Sequence, residues 1–569
     1  MYLCPNCGAE IRFDIKTQQM YCEHCESSFD PGALKQHGEA DYNEESSGFF
    51  EAEIFTCPDC GGEITALAGA MADFCPYCGA SVMLEARPGQ IRKPARIIPF
   101  KKTKEECKNA FTAYAKKHWF APKAFSKGES TDDFRGIYMP YWKYYVRTNS
   151  DFVIENWENY SRRTRNYKYY DQYRITGHAQ SRARGGYHDA ASNMADDVSE
   201  AIEPFTRRQE QNFNSAYMAG FYADMDDVPQ TVYGRIAAEY GRKAIDSAIA
   251  QRIRKENIVK GKPVSPVQYI LKTDAELAMY PVWFMARRIG RGKNGTRVCY
   301  SAVNGQTGKV TADLPVDMKI FALVWLALTA ILTLVIGMLF TIRPMQLMAD
   351  TCLIAIISAI LYYRGIRQVR KKEFRTGDLG FMVKNPDKID PRAARRNERY
   401  RARMLKEVER KGGDPNSVPE VAPENGCWNA IKKGLFWTFV FIVAFALIGP
   451  LLTEAQESSA VRAAALSNLF STIGIFVVTI LAIAGIFVKH GVRSLRTVHG
   501  SLWLMISVWL SFAVRTYNPH ADTLWYIASI VSGIACALSF LELLKVQNLL
   551  STHPMPQFDR EDKGGGANA

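Results

Sequence analysis

The first 319 residues of this 569-residue chain contain no apolar run long enough to cross a bilayer, and the first 85 carry almost no positive charge. Each absence excludes something. Residues 1–85 hold three basic and fifteen acidic side chains. Phosphate affinity rests on Lys and Arg, so nucleic acid is not expected to bind there. The opening MYLCPNCGAE lacks a basic stretch followed by an apolar one, so we expect the polar half to stay in the cytoplasm. Residues 86–318 contain no Gly-rich phosphate loop, no nucleophile elbow and no His–Glu pair at metal-binding spacing. An enzyme is therefore not expected.

What is present is a pattern of cysteines. Of thirteen, eight fall in four Cys-x-x-Cys pairs. Cys4, Cys7, Cys22 and Cys25 recur as Cys57, Cys60, Cys75 and Cys78, each displaced by 53 residues, so the chain opens with an internal duplication. In a reducing compartment such pairs point to metal rather than disulfides. Each unit is C-x2-C-x14-C-x2-C, in which a short hairpin brings four thiolates around a structural Zn²⁺ with no open coordination position. A rubredoxin-like iron site uses similar knuckles, and spacing leaves it open. Gly8, Gly61 and Gly79 follow three of the pairs and ease the tight knuckle. Glu26 follows the fourth, which predicts a looser one. His24, between two ligands, reads as an exposed knuckle residue. About 25 residues bury little core, so metal should supply folding free energy on the order of 10 kcal/mol, and both ribbons should be unfolded without it. The linker EADYNEESSGFFEAE is acidic as well. The ribbons are expected to meet a protein with a basic surface.

The middle of the chain reads as an α+β domain with a strongly twisted antiparallel sheet. A proline-punctuated connector, 87–99, leads into a helix from Thr103 to about Trp119, with Phe111, Tyr114 and Ala115 on its apolar face and Cys107 packed. An aromatic strand covers 136–146, and the Tyr- and Arg-rich stretch 157–187 alternates like paired strands. Helices are expected over 192–203 and 229–255. Pro281-Val-Trp283 then repeats the Pro-x-Trp of Pro140-Tyr-Trp142. Asn304-Gly305 and Thr307-Gly308 close a hairpin. His178 and His188 read as surface residues, and the Tyr and Trp density as sheet core.

The paired ribbons, KPARIIPF (93–100), the PYW strand, SAYMAGFYAD (215–224), PVWF and SAVNGQTGKV (301–310) together resemble the YdjG-like zinc-ribbon membrane proteins of Gram-positive bacteria. The resemblance covers residues 1–341. It implies two ribbons, a cytoplasmic α+β domain, a membrane anchor and zinc on all eight cysteines. It also implies association with PspA-type phage-shock proteins and recruitment of an SPFH-family partner during envelope stress.

The span Ile320–Thr341 has no charge and no proline, and at about 1.5 Å per residue it can cross a hydrocarbon core about 30 Å thick. Further spans are expected at 347–363, 434–452, 468–488, 501–514 and 523–541, giving an all-α multi-pass membrane domain of about six helices. Residues 364–433 hold 19 basic and 10 acidic side chains, which places them inside by the positive-inside rule. At its plainest this segment reads as a topology signal and a solvated face, and the sharper expectation is adhesion to anionic lipid headgroups or docking against the acidic ribbons. Ser529, Gly533 and Ala537 form a stripe suited to close helix packing.

The chain thus divides into zinc ribbon 1 (1–30), an acidic linker (31–53), zinc ribbon 2 (54–85), the α+β domain (86–318), a transmembrane hairpin (319–363), a basic cytoplasmic loop (364–433), four further transmembrane helices (434–545) and a cytoplasmic tail (546–569). The expected function is a non-enzymatic membrane adaptor that docks a cytoplasmic protein. Two alternatives are a transporter or channel component, disfavoured because Asp350 and Glu542 are nearly the only charges in the spans, and a membrane-tethered nucleic-acid binder acting through the basic loop.

Overall fold

The computed structural model describes residues 2–557 apart from 35–47, 68–71, 73, 127–133, 257–259, 293–294, 340–343, 411–474, 476, 490 and 518–520. The first unit is a three-stranded antiparallel sheet of β1 (Arg12–Asp14), β2 (Gln19–Tyr21) and β3 (Ser28–Phe29). All other strands join a single sheet: β4 (Phe49–Thr56), β5 (Glu63–Ala66), β6 (Glu85–Arg92), β7 (Arg96–Ile97), β8 (Arg135–Arg163), β9 (Lys168–Asp189), β10 (Gln211–Asn212), β11 (Tyr222–Asp224), β12 (Lys262–Pro263), β13 (Lys272–Gly292), β14 (Gly295–Asn304), β15 (Val310–Ala312) and β16 (His553–Pro554).

Its backbone is the pairing of β8 with β13, in register from Arg147↔Lys272 to Arg135↔Phe284. The repeated Pro-x-Trp elements therefore lie side by side, with Pro281 opposite Tyr138 and Pro140 opposite Met279. Proline cannot donate to a ladder, which normally keeps it out of central strands. Here both prolines fall where a strand changes its second neighbour. β8 pairs with β11 through Ile137 and Tyr138, then with β9 from Tyr141 onward. β13 pairs with β7 through Ala278 and Met279, then with β14 from Val282 onward. The missing N–H of each proline thus falls at an exchange point. The β11–β8 and β13–β7 pairs are parallel, so the sheet is mixed rather than purely antiparallel as expected. Both are only two residue pairs long and follow long crossovers, which sequence alternation does not reveal.

The Tyr- and Arg-rich stretch forms the predicted hairpin, β8 with β9, extended by bulges at Tyr144/Tyr145, Ile154/Trp157 and Tyr160/Arg162 that add twist. α4 (Thr231–Lys255) follows α1 (Lys104–Lys117), α2 (Lys123–Ser126) and α3 (Asp196–Ala201) in the chain. It covers the hairpin with Ile245, Ile249 and Ile253, packed against Val146, Ile154 and Trp157. Beyond Trp157 the arm projects, with Tyr160, Tyr167, Tyr169 and Tyr170 exposed. α1 starts with a capping box, Thr103 and Glu106, and buries Cys107, Phe111 and Ala115, as its periodicity predicts.

Three helices are long and apolar enough to cross a membrane: Thr351–Glu373, Arg493–Val514 and Thr523–Leu550. They lie in or overlap α6 (Pro344–Glu373) and the helices Gly500–Tyr517 and Asp522–Leu550. α5 (Met318–Leu339) carries the predicted first span, and Val477–Lys489 is a shorter apolar helix. The expected span 434–452 lies outside the described residues, as does most of 468–476. Among the described residues three helices meet both the length and the apolarity needed, and the expected six spans are not confirmed. The stripe at 529–537 also packs differently from expectation. A side chain at Gly533 would meet open space, and the close contact is made instead by Ser532, whose hydroxyl lies 2.5 Å from that of Ser507.

The helix ends that face the sheet are tied to it. Arg297 of β14 donates to Glu373 (2.8 Å), to the hydroxyl (2.7 Å) and carbonyl (2.8 Å) of Thr552, and to the carbonyl of Leu549 (3.1 Å). Arg370 pairs with both oxygens of Asp390 at 2.8 Å and donates to the carbonyl of Val488 at 2.7 Å. Asn548 bonds the backbone of Val316 in both directions. The ends of four apolar helices, near 318, 373, 489 and 550, therefore lie on the side of the sheet.

Three expected boundaries are crossed. Residues 49–53 of the linker belong to β4, residues 364–373 of the basic loop complete α6, and the tail supplies β16.

Candidate metal centres

Each cluster is built from two knuckles, and in each knuckle the residue after the second cysteine donates its N–H to the carbonyl of the first. The four bonds are Gly8 to Cys4 (2.8 Å) and Glu26 to Cys22, Gly61 to Cys57 and Gly79 to Cys75 (2.9 Å each). That turn needs a left-handed residue. Gly8, Gly61 and Gly79 have φ of 73°, 76° and 68°, and Glu26 has 56°. The expectation of a looser fourth knuckle is corrected: Glu26 adopts the same conformation and closes the same bond, at the steric cost that a Cβ carries there.

The structure brings all eight predicted cysteines together in two groups of four, with the sulfurs of each group within 4.8 Å of one another. Cys4–Cys25 and Cys7–Cys22 are 3.4 and 3.5 Å apart; Cys57–Cys78 and Cys60–Cys75 are 3.8 and 3.6 Å apart. A disulfide would need about 2.05 Å, whereas a tetrahedron with bonds of about 2.3 Å has edges of about 3.8 Å. The donor set fits fourfold sulfur coordination of a metal ion. His24 is exposed and belongs to neither group.

The two centres differ in their surroundings. At the first, Cys7 is exposed and Cys25 half-buried; at the second, all four cysteines are buried. Hydrogen bonds from Ser27 hold the Cys25 thiol down to about 6. At the second centre the crowded sulfurs share protons unequally. Neighbouring Cys57 pushes the Cys75 thiol far up, while Cys57, Cys60 and Cys75 push Cys78 down. Four thiolates cannot coexist in that space without a cation. Arg288 of β13 adds one positive charge from outside, donating to the sulfur of Cys78 (3.2 Å), its carbonyl (2.8 Å) and Asp59 (2.8 Å).

Neither ribbon stands alone: each, too short to bury a core of its own, shares the core or the sheet of the domain behind it. In the first, Phe13 bonds the carbonyl of Ala219 (3.1 Å), Tyr2 meets Ser215 (2.7 Å), and Gln18 bonds the carbonyl of Phe100 (2.8 Å). Tyr2, Ile11, Phe13 and Met20 are buried with Phe100, Phe111 and Tyr138. In the second, β5 pairs with β11, and Tyr77 donates to Asp224 at 2.6 Å. One segment, 215–224, thus grips the first ribbon through Ser215 and Ala219 and the second through Ala223 and Asp224. Gly220 is left-handed at φ 91°, and that backbone rather than crowding is what favours glycine, since a Cβ there would meet Arg12 at an ordinary 3.5 Å. Sequence reasoning singled out SAYMAGFYAD but gave it no role; its glycine was the available signal.

Of the two histidines, His178 is exposed between Asp151 and Asn149, as expected. His188 is corrected. It stacks on Tyr233 at 4.7 Å, and burial pushes it down to about 4. β9 carries it under α4, a long-range contact that strand alternation does not report. The basic segment is corrected in part too. Arg370, Lys372 and Arg375 are not a solvated face but partners of Asp390, Asp313 and Asp378.

No family model matches the chain, and no solved structure matches it. Over 326 residues it is 25% identical to YdjG of Bacillus subtilis (strain 168), itself uncharacterized, a match that covers 56% of this chain and 90% of that protein. The chain is a distant relative of YdjG.

Proposed function

We propose that the two cysteine clusters hold structural Zn²⁺ and that the chain is a multi-pass, membrane-anchored adaptor without enzymatic activity, which docks a cytoplasmic protein at the inner membrane face. The observation that carries this reading is continuity. The first ribbon packs against, and the second pairs into, the sheet that Arg297 fastens to the ends of the apolar helices, so an acidic surface would be held beside the bilayer. Closed four-sulfur sites offer no open position for hydrolysis. The likeness to YdjG-like proteins directs the search for a partner to SPFH-family and PspA-type proteins of the envelope-stress response. The basic segment 364–433 takes anionic lipid headgroups as its second partner.

The test is photo-crosslinking in cells from positions on the first ribbon, followed by mass spectrometry. A protein should be captured by the native chain and lost from Glu23→Lys/Glu26→Lys, two exposed acids beside the cluster. Unchanged capture by that variant, or capture of nucleic acid instead, would overturn the reading.

A further inference from the structure

Trp119 is 84% exposed, an indole left in solvent on the soluble half of the chain. Its neighbours say what it faces. Phe120 accepts a hydrogen bond from the backbone N–H of Asp317 at 2.6 Å. Asp317 in turn caps α5, accepting from the N–H of Lys319 at 2.9 Å. The Phe120 ring lies 5.2 Å from that of Phe321 in the first turn of α5, and Phe321 continues into Trp325 at 5.7 Å and Phe540 at 6.3 Å. Immediately beyond, Leu323 and Leu326 are 73% and 75% exposed, the start of an apolar surface that runs along the helix. The corner between α1 and α2 is therefore clamped to the point where α5 leaves the soluble domain. Lys116 and Lys117 lie exposed in the last turn of α1, whose opposite face is fixed by buried Cys107, Phe111 and Ala115.

We propose that this corner is a lipid-contact site, in which Trp119 enters the interfacial layer of the bilayer that α5 crosses and Lys116 and Lys117 face anionic headgroups. Tryptophan partitions to that layer because its ring is apolar and its N–H can stay hydrated. Lysines beside it gain from the negative surface potential. The occupant is a bilayer rather than a protein because the site is continuous with the apolar surface of α5. The contact fixes the height of the sheet domain over the membrane, independently of whether a partner binds the ribbons.

The experiment uses the full chain in nanodiscs of phosphatidylcholine, with or without phosphatidylglycerol, whose acyl chains are brominated near the headgroup. Trp119→Phe removes one indole at an exposed position, so the emission of the native chain minus that of the variant reports Trp119 alone. Brominated lipid should cut this difference emission by about half or more, as for an interfacial indole. The quenching should be stronger with phosphatidylglycerol, and that increment should vanish in Lys116→Glu/Lys117→Glu. Difference emission untouched by brominated lipid yet quenched by acrylamide as freely as indole in water would overturn the proposal. Equal quenching in both lipid mixtures would overturn its headgroup part.

Discussion

Arg297 offers the most direct test of how the soluble domain is joined to the helices. Its side chain is about one-tenth exposed and makes four hydrogen bonds, one to Glu373 and three to the chain between Leu549 and Thr552. Replacing it by methionine keeps the bulk and removes every donor. Among the described residues Glu373 then retains the hydroxyl of Ser494, at 2.9 Å, and the carbonyls of Leu549 and Thr552 lose their cation, while that of Leu550 keeps Lys372 at 2.7 Å. Stripping one partner from a buried ion pair costs on the order of 3–5 kcal/mol. At about 1.4 kcal/mol per tenfold, the junction should open about 10² to 4 × 10³ times more often. The readout is hydrogen exchange of the amides from Ser551 to His553 in nanodiscs, because β16 pairs with β14 at Arg297 and Val298. Arg297→Lys should fall between, since an ammonium can meet Glu373 but cannot reproduce the fork. Exchange in Arg297→Met equal to that of the native chain would refute the reasoning.

Other outcomes follow from the same contacts. Both centres should contain zinc, two ions per chain by elemental analysis, and the first should yield to chelator and thiol reagent before the second because Cys7 is exposed while Cys57, Cys60, Cys75 and Cys78 are buried; simultaneous loss would contradict this. Glu26→Gly should stabilise the first ribbon by about 1 kcal/mol by relieving a left-handed Cβ, read as slower metal release. Gly79→Ala should do the reverse at the second, where a Cβ would stand 2.4 Å from the carbonyl of Ala286. Burial raises the Asp224 carboxyl from 3.8 to about 6. Its folded form therefore holds a proton that the unfolded chain has released: this group's contribution to stability is full below about pH 4 and is lost as pH rises through 6, on the order of 3 kcal/mol at 1.36 kcal/mol per unit. Asp224→Asn, which still accepts from Tyr77, should flatten that slope in thermal melts.

What could be read from the sequence was what is local. A knuckle needs only two cysteines and a left-handed residue within five positions, and a hairpin needs only its alternation and its turn, so both were visible at fixed spacing. The grip of 215–224 on the two ribbons was not, because it depends on contacts between residues far apart in the chain, such as Phe13 with Ala219 and Thr65 with Ala223. Charge was legible in sum but not in use. Nineteen basic residues in 364–433 give an expectation of sidedness, yet nothing in their order shows that Arg370 will cap Val488 or that Lys372 will reach Asp313. His188 failed for the same reason: its surroundings come from α4.

The paired prolines mark how the second ribbon is joined to the sheet. Pro140 and Pro281 mark where β8 and β13 drop one neighbour and take another, so each of these strands belongs to two ladders. The half of β8 before Pro140 holds β11 and, through it, the second ribbon; the half after it holds the long hairpin. The half of β13 after Pro281 holds β14, which carries Arg297 to the helix ends, while Arg288 on that same half touches Cys78. The contact with the second cluster and the contacts to the helix ends thus lie on neighbouring residue pairs of one strand pair, Arg288↔Val298 and Ile289↔Arg297. The strand pair that touches the second cluster through Arg288 is therefore the one that reaches the helix ends through Arg297, one residue pair further along.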